Sequence, residues 1–216
     1  QHLLKETRAK GYLQADETPI KVLDKDKKGS CHQGYYWVYH SPVDKTVLFD
    51  YQPGRSIGAA NHVLDGFKGY LQTDGYSAYD SIGKSKDIIH LNCWAHARRE
   101  FEKALTNDKE RAELALVFIQ SLYAVEAQAR TEKMNAEQRK KLRLDKSLPT
   151  INAFAKWMTT QLKQATILPK SLLGKAINYS LSRWEKLSAY LYDGVLEIDN
   201  NLVENAIRPI ALGRKN

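Results

Sequence analysis

Cysteine is scarce: two residues, Cys31 and Cys93, in a chain of 216. Two thiols cannot make a disulfide scaffold of a domain this size, so a reducing compartment is expected. Long apolar runs are missing too. The longest, Leu114 to Ile119 (LALVFI), is far too short to span a bilayer, and no signal peptide is visible. The dinucleotide fingerprint G-x-G-x-x-G does not occur. SIGKS at Ser81 to Ser85 imitates the tail of a phosphate-binding loop, but Ala78 stands where that loop requires glycine. Six histidines with no nucleophile setting beside them argue against a serine or cysteine hydrolase. Internal repeats and low-complexity linkers are also missing.

What is present is a foldable, basic chain. Hydrophobic residues make up 43% and charged residues 27%, enough for a proper core. Thirty-three Lys and Arg against 25 Asp and Glu leave a formal charge of +8, which favours a polyanionic partner. The length fits one domain, or a domain with an insertion. The start at Gln1 and the end at GRKN, just after a helix, suggest a piece of a longer protein.

The first hundred residues read as α/β. GYLQADETPIKVL (Gly11 to Leu23), GYYWVYH (Gly34 to His40) and KTVLFDY (Lys45 to Tyr51) are strand-like and joined by short turns, which predicts an antiparallel meander. The alternating aromatics Tyr35, Tyr36, Trp37 and Tyr39 read as core and sheet surface. A helix over Ser56 to Leu64, strands over Gly69 to Gly75 and Asp87 to Asn92, and a helix over Cys93 to Leu105 follow. From Asp108 the strand signals vanish. Leu114, Phe118, Leu122 and Val125 mark one amphipathic helix; Phe154, Trp157, Met158 and Leu162 mark another. TEKMNAEQRKKLRLDKS between them reads as helical and solvated. A longer helix starts near Pro169, carries Leu173, Ile177, Trp184, Leu187 and Leu191, and ends at Gly194. The expected organisation is a core over 1–107, a helical insertion over 108–193, and a final core helix over 194–216.

Three acids compete with bland readings. Glu204 lies on the last helix, for which Asp199 or Asn200 is the N-cap. Leu202, Val203, Ala206, Ile207 and Ile210 form its apolar stripe, and Glu204 lies roughly 130° from the stripe's centre, at the border of the buried face. The bland alternative is a surface pair with Arg208. Pro209 is expected to end or kink this helix. Asp74, in LQTDGYSAY, is either hairpin punctuation or an acid at the C-terminal end of a strand, pointing into the crevice where open α/β sheets bind ligands. Gly75 would admit a bulky phosphate backbone. Asp16 and Glu17 point to opposite faces of a strand, so only one can join a shared site, and Asp16 is the choice. Such a trio of carboxylates needs a cation, and hard oxygen ligands suit Mg²⁺ or Mn²⁺. Two ions can activate a hydroxyl on one side of a phosphodiester and stabilise the leaving oxygen on the other.

ADET at Asp16, GYYWVY, GRS at Arg55, QTDGYSAY, CWAHARREF and NNLVENAIRPIALGRKN, in that order, resemble the DDE transposases of the insertion sequence sixty-six family. The resemblance covers roughly Gly11 to Leu105 and Gly194 to Asn216, and the helical middle matches loosely. It implies a ribonuclease H-like fold with a mixed five-stranded sheet, a catalytic triad at Asp16, Asp74 and Glu204, and metal-dependent cutting and joining of double-stranded DNA at element ends and target. It also implies a dimer in the active complex and a cytoplasmic, nucleoid-associated location. A nuclease or resolvase without strand transfer, and a non-enzymatic basic DNA-binding module, are the competing readings.

Arg98, Arg99, Arg208, Arg214 and Lys215 are candidate phosphate contacts. Cys93 and His96 form a C-x-x-H pair at a helix start. With Cys31 and His32 it lacks the tight four-ligand clustering of a zinc site, so a packed Cys93 and a cleft-facing accessory His96 are preferred.

Overall fold

The structure is a computed structural model that describes residues 2–24, 29–163 and 166–213. It divides into two compact units: a sheet unit, Gln1–Leu91 with Asn200–Asn216, and a helical unit, Asn92–Asp199.

The sheet unit begins with α1 (His2–Arg8) and the predicted meander, β1 (Tyr12–Leu23), β2 (Cys31–His40) and β3 (Val47–Gln52). Then come α2 (Ile57–Leu64), β4 (Gly69–Thr73), α3 (Ser77–Ile82) and β5 (Ile88–Asn92). The strands form one mixed five-stranded sheet in the order β3-β2-β1-β4-β5, a ribonuclease H-like α/β arrangement. β1 pairs antiparallel with β2 and parallel with β4, and β2 pairs antiparallel with β3. Pro19 in the central strand follows from this pairing. β4 reaches only Tyr12 to Gln14 of β1, so Pro19 falls where β1 has β2 alone as neighbour and a missing N–H costs no ladder bond on the open side.

Both faces of the sheet are covered. Leu13, Ala15, Trp37 and Tyr39 bury themselves against Ala59, Ala60, Val63 and Leu64 of α2 and Ala78 and Tyr79 of α3. On the other face, Val38 packs against Val203 and Ile207 of the last helix, α10 below, with Tyr36 and Val47 at the margin.

The helical unit comprises α4 (Trp94–Ala104), α5 (Lys109–Thr131), α6 (Ala136–Leu142), α7 (Leu148–Leu162), α8 (Leu172–Ser182) and α9 (Trp184–Ser188). By sequence α4 was grouped with the sheet. In the structure it packs against α5 and α8, and Trp94 and Phe101 join Phe118, Phe154, Trp157 and Trp184 in an aromatic cluster.

Several expectations are corrected here. Leu114 is 44% exposed; the buried face of α5 is Ala112, Ala115, Ile119, Leu122, Val125, Glu126 and Ala129. The single long helix after Pro169 is broken at Arg183 (φ −117°, ψ 13°) into α8, α9 and a short 3-10 turn. Gly194 does not adopt the left-handed conformation of a helix cap. It is required by close approach, since a Cβ there would lie 1.7 Å from the Ala136 carbonyl oxygen.

The charged stretch is not wholly solvated either. Arg143 and Glu126 are fully buried and paired, with Nε and Nη2 of Arg143 donating to the two carboxylate oxygens at 2.7 and 2.8 Å. Arg143 also donates to the backbone carbonyls of Tyr190, Asp193 and Leu196. Arg139 bridges Glu126 to Glu197. A charge can be buried when every donor has an acceptor, and this pair meets that condition.

α10 (Asn201–Gly213) closes the sheet unit. Pro209 lies inside it and the helix continues to Gly213, at the loss of one intrahelical donor. Leu202, expected in the apolar stripe, is 40% exposed. Among the described residues no helix is long and apolar enough to cross a membrane.

Candidate active site

The two central parallel strands carry the same four-residue pattern: Leu13-Gln14-Ala15-Asp16 on β1 and Leu71-Gln72-Thr73-Asp74 on and just after β4. They pair in register, Leu13 with Leu71 and Gln14 with Gln72. Continuing that register by two residues sets Asp16 beside Asp74, and the two-residue period of a strand keeps both on the face of the glutamines. Asp16 pairs across β1–β2 with Val38, the residue on which α10 packs. Glu17, opposite Trp37, belongs to the other face, so the choice between the two neighbouring acids follows the pleat.

A chain of side-chain hydrogen bonds fixes α10 to this face. Gln14 Oε1 accepts the backbone N–H of Val203 at 3.2 Å. Gln14 Nε2 donates to Gln72 Oε1 at 2.9 Å, and the Tyr12 hydroxyl donates to the same oxygen at 2.6 Å. Helix starts leave backbone N–H groups without intrahelical acceptors. Here one of them is satisfied by the sheet itself, while the Asn200 carbonyl accepts the N–H groups of Val203 and Glu204. Glu204 follows the anchored residue directly and lies in the first turn, where the helix dipole favours a negative charge.

The charges of the other acids act on Asp16. Asp16 is pushed up from 3.8 to about 8, chiefly by burial, then by the charges of Asp74 and Glu17, with Glu204 adding in the same direction and a hydrogen bond from the Glu17 N–H opposing. Asp74 is not the corner of a hairpin. Its Oδ1 accepts the Tyr76 N–H at 2.8 Å, Gly75 takes φ +97°, and the chain enters α3. A glycine is needed at that φ.

Asp16, Asp74 and Glu204 are hard anionic donors of the kind that hold Mg²⁺ or Mn²⁺, and a divalent cation would offset the burial and the repulsion that push the Asp16 carboxyl up. The remaining sequence candidates distribute differently. Arg208 is exposed on α10. Arg214 and Lys215 lie outside the described residues. Arg98, Arg99 and His96 lie on α4, in the helical unit. Arg98 is engaged by Glu102 at 3.0 Å and Arg99 is exposed. Both cysteines are free thiols, Cys31 exposed and Cys93 buried.

Sequence reasoning missed Gln14 and Gln72, although the repeated Leu-Gln-x-Asp pattern was there to be read. It also missed Glu17 as the buried partner of Arg55.

A family model described as Transposase IS66 family matches residues 1–216. Similar chains include the uncharacterized protein y4qI of Sinorhizobium fredii (strain NBRC 101917 / NGR234), 34% identical, with 94% of this chain and 39% of that protein covered. From the same organism, the uncharacterized protein y4jD is 32% identical, with 99% of this chain and 44% of that protein covered. The uncharacterized protein y4hP is 30% identical, the shares being 94% and 40%. The chain thus spans less than half the length of these curated relatives.

Proposed function

The chain belongs to the Transposase IS66 family, a family of DDE transposases, and from that premise we propose that it is the catalytic core of a DNA transposase. Its reaction is cleavage of a DNA strand at the end of a mobile element, followed by attack of the freed 3′-hydroxyl on target DNA. The observation that supports the proposal is the buried Asp16 carboxyl, pushed up by burial and by the charges of Asp74, Glu17 and Glu204, on a strand paired in parallel with the one that ends before Asp74.

In this reading Asp16, Asp74 and Glu204 hold two divalent ions, Mg²⁺ or Mn²⁺. Once bound, such ions supply an activated water or 3′-hydroxyl and stabilise the leaving oxygen. The protein's own contribution is to hold its acids rigidly. Two stand on paired strands and the third on a helix bonded to Gln14. Asp16 gives up its proton as the site loads, so metal affinity rises with pH. Gly75 lets the phosphodiester backbone come close to Asp74. Arg208 of the sheet unit offers charge to the phosphates of double-stranded DNA, and Arg98 and Arg99 of the helical unit are separate candidates for such a contact. Joining two element ends to one target calls for two copies of the chain, a homodimer in the active complex.

The test is Asp74→Asn in an active full-length protein. Cleavage and joining are expected to disappear while the fold is retained. A folded variant that still cuts and joins DNA at the normal metal concentration overturns the proposal. Pre-cut ends supplied to the unaltered protein must also yield joined products; hydrolysis alone would remove the strand-transfer step from it.

A further inference from the structure

Arg55 lies in the loop between β3 and α2, and its guanidinium is held on one edge and one face. Nε and Nη2 both donate to Oε1 of Glu17, at 2.8 and 2.5 Å. The ring of Tyr76 lies 4.0 Å beneath it, and the Tyr76 hydroxyl donates to the Arg55 carbonyl at 2.8 Å. The other Glu17 oxygen accepts the Tyr79 hydroxyl at 3.0 Å. The Glu17 side chain is 1% exposed, whereas that of Arg55 is 43% exposed. Among the described residues, no acceptor takes Nη1.

Both anchors are neighbours of the candidate catalytic acids. Glu17 follows Asp16 in β1, and Tyr76 donates its N–H to Asp74. Burial lowers the Arg55 guanidinium, but the Glu17 pair more than offsets this, and the charge of Asp74 acts in the same direction. The cation is therefore within electrostatic reach of the acid cluster.

Stability alone accounts poorly for this arrangement. Burial pushes the Glu17 carboxyl up, and its bonds to Arg55 only partly pull it back. A well-packed apolar pair serves stability as well as a buried ion pair does. What the arrangement achieves is a guanidinium with a fixed plane and an open edge. A guanidinium so presented matches phosphate oxygens, and its side-chain entropy is already spent before the ligand arrives.

We propose that Arg55 binds a DNA backbone phosphate at the rim of the acid cluster, pre-organised by Glu17 and Tyr76. The inference rests on the reading of those acids as a DNA-processing site, and it adds a residue that charge counting on helices does not find.

The experiment is binding of a short duplex of arbitrary sequence to the whole chain, followed by fluorescence anisotropy over a salt series in EDTA. Arg55→Gln is expected to reduce the slope of log Kobs against log salt by about 0.9, the value of one phosphate contact. Arg55→Lys keeps a cation and is expected to restore the slope. A merely structural role would lower the melting temperature of both variants and leave both slopes at the original value, which overturns the proposal. Should Arg55→Gln fail to fold, phenylglyoxal labelling of the unaltered protein decides. Duplex DNA is expected to protect Arg55, and equal labelling with and without DNA overturns the proposal. Titrating Arg55→Gln with Mn²⁺ separates this inference from the catalytic reading: loss of metal binding in the unaltered protein as well would sink the latter and leave the slope result standing.

Discussion

Replacing Asp16 with asparagine should make the metal-free protein more stable, and increasingly so as pH rises. The carboxyl moves from 3.8 in the unfolded chain to about 8 in the fold. Between those values the native state binds a proton that the unfolded state has released, so stability falls as pH rises through the window. Below the lower value both states are protonated and the penalty is nil; above the upper value it is complete. At about 1.4 kcal/mol per pKa unit, the three units from pH 5 to pH 8 correspond to a loss of about 4 kcal/mol, and relaxation around a real buried acid brings the expectation to about 2–4 kcal/mol. Asparagine keeps the size and loses the titration. The assay is urea unfolding in EDTA at pH 5, 6.5 and 8 for the unaltered protein and Asp16→Asn. Glu17 is also raised and its charge acts on Asp16, so the difference between the curves reports Asp16 together with its coupling to Glu17. Adding Mn²⁺ at pH 8 should stabilise the unaltered protein by mass action and leave the variant much less changed. Parallel curves from pH 5 to pH 8 would refute the reasoning, because they would mean that Asp16 is neither desolvated nor crowded.

Gln14→Leu leaves the Val203 N–H with the Asn200 carbonyl as acceptor and removes the donor to Gln72, and should cost about 0.5–1.5 kcal/mol in urea unfolding, with Glu204 still present but its helix less firmly seated. Arg143→Met leaves Glu126 and three backbone carbonyls short of a donor and should cost about 3–5 kcal/mol, whereas the double variant with Glu126→Leu should recover much of that. Burial pushes Glu126 up, but Arg143 and Arg139 hold it below 4.5; the network's contribution is therefore present above pH 4.5 and lost as pH falls further, visible as acid unfolding that begins later in the double variant. Gly194→Ala forces a methyl onto the Ala136 carbonyl and should cost about 1–3 kcal/mol by thermal melting; an unchanged melting temperature would mean that the segment yields freely.

The sheet was legible because its strands are built from the residues that strands favour. Tyr35 to Tyr39 could hardly be anything else, and Asp74-Gly75 punctuated β4 where it ends. The three acids could be singled out one by one, but the alignment of the strands that carry Asp16 and Asp74 could not be read, since it depends on a register that only the paired pattern Leu13-Gln14 with Leu71-Gln72 specifies. The helical unit was harder. Hydrophobic periodicity ranks large side chains above small ones, yet in α5 it is Ala112 and Ala115 that allow close packing while Leu114 faces outward. Charge patterning failed at Arg143 for a related reason. A single sequence cannot tell a solvated arginine from one whose partners, Glu126 and the carbonyls of residues 190–196, lie on other elements. Pro209 misled because a helix supported by Val203 and Ile207 against the sheet tolerates one absent backbone bond.

The hydrogen bond from Val203 to Gln14 joins residues 189 positions apart. Closing so long a loop carries a large entropic cost and is slow compared with forming the hairpins within it. The strands that carry Asp16 and Asp74 can therefore pair before the helix that carries Glu204 is seated on the sheet. Seating of α10, and of Glu204 with it, is thereby deferred until that long loop has closed.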